Sequence, residues 1–166
     1  FTGVEIGILQ SLREVPGFLS FTVIFLPLFP TEQTFAVLSL ALLGLGVAMT
    51  GFFPSEYGLY FTTVLMSIGF HYFEAIKQSL SLQWLSKDEA PQVLGRLIAV
   101  GSVTSLIVYG VLWVLLEVFA VSFMWNLALA GGLCCLLAFF MWLNFPHFPS
   151  KTAQHKTLVL RRRYWL

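Results

Sequence analysis

Two clusters of polar residues stand inside long apolar stretches of this chain. His71, Glu74, Lys77 and Gln78 fall at i, i+3, i+6 and i+7. On a helix, Glu74 and Lys77 can meet as an i,i+3 ion pair, and His71 and Gln78 share nearly the same stripe as Glu74. A carboxylate, an imidazole that changes charge near neutral pH and an ammonium able to partner the carboxylate are the parts needed to bind and release a proton or to hold a polar solute. Gln10, Arg13 and Glu14 form the other cluster, with Gln10 one turn before Glu14. Adjacent helical residues point about 100° apart. Arg13 and Glu14 therefore predict different partners, and an Arg13–Glu74 contact between helices is the natural guess. Each cluster also has a plainer reading. Glu74–Lys77 can be an internal ion pair on a polar stripe facing neighbouring helices, or a pair at the cytoplasmic end of its helix, and Arg13 can face headgroups or a domain interface.

The surroundings give these residues their weight. Hydrophobic side chains make up 58% of the 166 residues and charged ones 10%, with a mean hydropathy of +0.85. Soluble domains carry roughly 25% charged residues, so an all-α membrane protein is expected, a polytopic bundle of about five transmembrane helices. Apolar runs predict spans at about 3–29, 33–53, 57–85, 95–118 and 122–145. Helices are expected because each backbone amide in hydrocarbon needs a partner within its own segment. Pro30, Pro54, Pro91 and Pro146 mark boundaries. Pro16-Gly17 predicts a kink or a broken ladder inside the first span, with neighbouring helices satisfying the freed carbonyls. Gly44, Ala48, Gly101, Ser105, Ala128 and Gly132 are predicted to let helix backbones approach. Trp84, Trp113, Trp125, Trp142 and Trp165 read as interfacial anchors. The adjacent Cys134 and Cys135 read as packing residues.

Residues 1–146 form the predicted bundle, and residues 147–166 a basic linker or the start of a following helix. Of nine Lys and Arg residues, Arg13 and Lys77 fall inside spans. The others, Lys87, Arg96, Lys151, Lys156 and Arg161 to Arg163, lie on one side if all five spans cross. The positive-inside rule makes that side cytoplasmic. It also puts the start of the chain outside, although no signal peptide precedes it. One missing upstream helix resolves this and predicts a six-helix unit.

Such a unit, ending in a basic cytoplasmic linker, resembles the N-terminal half of a major facilitator superfamily (MFS) transporter. The segment GILQSLREVPGFLSF, within Gly3 to Phe29, looks like the family's Pro-interrupted second helix, and LLGLGVAMTGFFPS, Leu42 to Ser55, resembles its third. Val64 to Ile107 looks like the fourth helix, a cytoplasmic loop and the start of the fifth, with Gly95-Arg96 at the loop-to-helix junction. In the loop between the second and third helices, LFPTEQT has Glu32 in a place analogous to the family's acidic position, without its basic residues. The antiporter signature is absent from 95–118. The resemblance implies a secondary active transporter moving a small solute by alternating access, for which Arg13, Glu14, His71, Glu74, Lys77 and Gln78 are the candidates for substrate binding or proton coupling. It implies as partners the lipid bilayer, an unknown small solute, and the C-terminal half of the same transporter or further membrane subunits.

Other classes find less support. No nucleophile elbow, phosphate loop or two-histidine metal motif occurs, so an enzyme is not expected and no cofactor is implied. His147 and His155 lack partners at metal spacing, and no metal is expected. Without a folded polar domain, Arg161 to Arg163 fit anionic headgroups rather than nucleic acid. Glu56, Glu117, Asn126 and Asn144 sit near span ends. The expected location is the cell membrane, inner or plasma, with the tail cytoplasmic. An alternative from another class is a transporter-like scaffold or assembly subunit of a larger membrane complex, which the 16% aromatic content would suit. A self-sufficient five-helix protein is a third.

Overall fold

The computed structural model describes residues 2–20, 22 and 32–146. Among these, 87% are helical and none is in a strand. The five helices are α1 (Gly3–Leu19), α2 (Glu32–Thr50), α3 (Glu56–Trp84), α4 (Ala90–Trp113), extended by a wider π turn at Val114–Val118, and α5 (Phe123–Asn144). The described part of the chain is all-α, as the apolar runs predict.

Local chemistry sets the helix ends. Thr2 and Glu5 form a reciprocal capping box at the start of α1, and the Ser55 hydroxyl accepts from the Gly58 amide, 3.1 Å, at the start of α3. Before α4, the Ser86 hydroxyl donates to the Glu89 carboxylate at 2.6 Å. The fourth helix therefore begins at Ala90 rather than near residue 95. Pro91 does not bound it but lies in its first turn, where a missing amide proton costs nothing. After the π turn the chain reverses through Ala120, a non-glycine residue in the left-handed region (φ 49°).

The packing is inverted relative to a water-soluble bundle. Buried positions hold small or polar side chains such as Ala36, Ser39, Thr62, Thr63, Ser67 and Ala138, whereas Phe18, Ile98, Leu106 and Phe140 point outward. In a bilayer, apolar side chains gain nothing by leaving lipid for protein. Helices there associate through close backbone contact. α2 supplies that contact on two sides. A methyl built on Gly131 of α5 would lie 2.4 Å from both the Ala48 nitrogen and the Gly44 oxygen, and one on Gly69 of α3 would lie 2.4 Å from the Leu43 nitrogen. Gly46 is also close against Met66, where a methyl would lie 2.7 Å from the Met66 nitrogen. Both neighbours run antiparallel to α2. The Cys134 and Cys135 thiols donate to the Leu40 and Ala41 carbonyls at 3.5 and 3.7 Å, so both cysteines pack at this seam. At the α2 start, Ala36, Ile76 and Leu80 form a small core flanked by Phe35, Phe73, Trp84 and Phe145.

Several expectations change. Among the described residues, three helices are long and apolar enough to cross a membrane: α2, α4 with its π turn, and α5. That is fewer than five, because α1 is 17 residues long as described and charged at Arg13 and Glu14, while α3 carries Glu56, Glu74 and Lys77. The helix expected over 3–29 ends at Leu19, and residues 23–31 lie outside the described residues, as do the 147–166 linker, His147, His155, Trp165 and Arg161 to Arg163. Pro16 is accommodated within α1 without ending it. Among the small residues, Gly44 and Ala48 do pack, but nothing lies within 4 Å of a methyl on Gly101 or Gly132, and Ser105 is exposed. The α5 contact residue is Gly131, one position earlier. α4 barely touches the other helices, which leaves its small residues facing outward.

Gly131→Val should separate α2 from α5 and destabilise the fold by about 1–3 kcal/mol, the usual cost of overpacking. Gly132→Ala should be close to neutral. Thermal unfolding of the two variants in the same detergent checks the difference.

Candidate functional site

Among the described helices, α1 and α3 carry charged pairs within their length, and they pack on each other. Three contacts set their register. The Ser67 hydroxyl donates to the Arg13 carbonyl, the His71 ring lies against Gly17, and the Tyr72 and Thr22 hydroxyls are 2.7 Å apart. Both numbers rise together, so the helices are parallel, as up-down-up connectivity through α2 requires.

Pro16 explains why these contacts lie where they do. It has no amide proton to give the Leu12 carbonyl, and its ring strains the adjacent rung of the ladder. The Arg13 carbonyl, next along the chain, accepts the Ser67 hydroxyl. Ser67 is buried, as is Pro16 itself. One turn on, Gly17 leaves the space that the imidazole fills. A methyl there would meet His71 Cε1 at 2.8 Å, Nε2 at 3.0 Å and Nδ1 at 3.1 Å. The ring edge bearing both nitrogens therefore faces α1.

The α2 helix serves as a ruler for depth. Gly46 packs on Met66, and Gln83 Nε2 donates to Glu32 Oε2 at 2.7 Å near the other end. Reading the antiparallel register between these points, the middle of α2 stands opposite His71 to Glu74. At 1.5 Å per residue α2 is about 28 Å long, close to the thickness of a hydrocarbon core.

The candidate residues then fall into two pairs on one wall. Lys77 Nζ donates to Glu74 Oε1 at 2.5 Å, with both side chains close to half exposed. Arg13 Nε and Glu14 Oε1 are 3.7 Å apart, with side chains 60% and 66% exposed. His71 is partly buried, while Gln10 and Gln78 are exposed. The predicted Glu74–Lys77 pair is present. The Arg13–Glu74 contact is not, because Arg13 is level with Ser67, seven residues or about 10 Å along the axis from Glu74. Nor do Arg13 and Glu14 seek different partners: both side chains are long enough to bend toward each other.

Ser67, Tyr72, Thr22 and Gly17 were not among the residues singled out for chemistry. Pro16 marked this stretch of α1 in the sequence, and Ser67 lies one turn before His71 on the α3 stripe that meets it. Elsewhere, Asn126 is buried with its amide nitrogen donating to the Val121 carbonyl at 3.0 Å, and its oxygen has no partner among the described residues. A shallow groove on α4 and its π turn, lined by Ile107, Val111, Trp113 and Phe119, is apolar and offers no reactive group. No cluster of three or more potential metal ligands occurs among the described residues.

No family model, curated protein or solved structure matches this chain.

Ser67→Ala removes the donor beside the proline break and should cost about 0.5–1.5 kcal/mol at the α1–α3 contact. Faster amide hydrogen exchange across residues 12–20, with the α2–α5 seam unchanged, is the expected result.

Proposed function

We propose that this chain is part of a secondary active transporter in which all five helices cross the membrane and the α1–α3 wall lines the solute path. The observation that carries the reading is the depth of the charges. Glu74 stands opposite the middle of α2, a helix apolar enough to span, with its partner Lys77 one turn nearer the α2 start, and both remain substantially exposed. A charged side chain at mid-bilayer costs roughly 2.5–3.5 kcal/mol on insertion scales. A water-filled cavity or another polar surface offsets that cost, and a transport pathway supplies both in turn. The parallel register of α1 and α3 supports their crossing alongside α2 and α5.

In this scheme the solute moves by alternating access, with the rest of the path supplied by the C-terminal half of the transporter or by further membrane subunits. Glu74 is the group that exchanges a proton, Lys77 is its partner in the ionised state, and Arg13, Glu14 and Gln78 offer hydrogen bonds to the solute. The excess of Lys and Arg toward one side supports a cytoplasmic tail in a cell membrane, inner or plasma.

The test uses the natural protein in proteoliposomes, with a pool of small polar solutes outside and a pH-sensitive dye inside. Glu74→Gln should abolish solute-dependent proton movement. Lys77→Ala should slow it roughly tenfold or more, the effect of losing about 1.4 kcal/mol. Solute flux that keeps its rate and pH dependence in both variants would refute the site. Stable co-purification with a larger complex and no flux would favour a scaffold built on the same bundle.

A further inference from the structure

We propose that His71 is a proton-sensitive latch that holds the end of α1 against α3, so that its charge state sets the position of the chain beyond Pro16-Gly17. The latch is geometric. Below the proline, the Ser67 hydroxyl fastens α1 to α3 at the Arg13 carbonyl; above it, the imidazole edge rests on Gly17 and Tyr72 meets Thr22. Between these points α1 has a weakened backbone ladder, which is where a helix bends most readily.

The neutral ring suits this seat. Its Cε1 edge presses on a glycine backbone, and neither ring nitrogen has a hydrogen-bond partner among the described residues. The charged ring does not suit it, because an imidazolium presents two N–H donors and a net charge that need acceptors. Those acceptors are close by. Glu74 lies at i+3 on the same helix, and Glu14 lies at i−3 from Gly17 on α1.

The remaining charges do not change this balance. Arg13 on α1 already pairs with Glu14, and Lys77 on α3 with Glu74. The charged residue of α2 is Glu32, at the level of Gln83 and remote from the midpoint. α4 brings Arg96, six residues past its start, on a helix that touches α3 sparsely. When a proton from water binds the free ring nitrogen, the imidazolium competes with Lys77 for Glu74 or with Arg13 for Glu14, and the ring swings off Gly17. The latch is thus closed with the ring neutral and released when the ring carries a proton.

The inference deepens the transport reading by linking proton uptake to helix movement, yet its test needs no transport. Spin labels are placed at Leu19→Cys and Leu82→Cys, both exposed, in the full chain with Cys134→Ala and Cys135→Ala. The distance between the labels is measured at pH 5 and pH 8. The unaltered latch should give a shift between the two. His71→Phe keeps a ring on Gly17 without a charge and should lock the distance at its pH 8 value. Gly17→Ala, whose methyl would sit 2.8 Å from Cε1, should lock it at the pH 5 value. Equal distances at both pH values in the parent chain would overturn the latch. So would a full shift retained in either variant whose helical content by circular dichroism matches the parent. A shift that behaves as expected in a protein without flux would leave the latch standing and remove transport.

Discussion

A helix bundle in lipid has little hydrophobic force pulling its members together, so it depends on how closely their backbones can approach. Here that dependence falls on α2. Gly44 and Ala48 admit Gly131 of α5 on one side, while Gly46 and the Ser39–Leu43 turn admit α3 on another. With α2 clamped between two antiparallel neighbours, the register of α3 is set, and with it the depth of every polar group that α3 carries. Among the described residues, α1 packs chiefly on α3, so its place follows from that of α3.

Among the described residues, the two ion pairs lie on the helices that meet where α1 docks. α2 and α5 carry one acidic residue between them, Glu32 at the start of α2. Arg13, Glu14, Glu74 and Lys77 pair within their own helices, so the wall is neutral as a whole and its ionised groups remain partnered even where lipid lies near. A neutral wall costs less to hold in a low-dielectric setting than separated charges would, and His71 lies between the two pairs along the seam. The Pro16-Gly17 break lies at the same level. Backbone weakness, a titratable ring and two exchangeable ion pairs therefore occupy one short stretch of the α1–α3 seam.

Much of the architecture was legible in the residues. Helical class and the approximate limits of α2, α3 and α5 followed from apolar length and from Pro54 and Pro146, because a backbone without water has few ways to satisfy itself. The i,i+3 spacing of Glu74 and Lys77 sufficed for their pair, since an ion pair inside one helix needs no tertiary information. The start of α4 was misjudged because Pro91 is a boundary signal that is equally at home in a first turn. Gly132 was preferred to Gly131 because a spacing of four identifies a stripe of small residues but not the partner it meets.

Sequence by itself thus determined what is local: the helices, their polar stripes, the pairs within a stripe and the weak point at Pro16. The tertiary structure decided what depends on register between helices. It put Arg13 level with Ser67 rather than Glu74, set the imidazole of His71 on Gly17, and chose one glycine over its neighbour at the α2–α5 seam. The physical reason is that a rotation of 100° or a slide of 1.5 Å, one residue either way, leaves every local propensity unchanged and alters every contact across the seam.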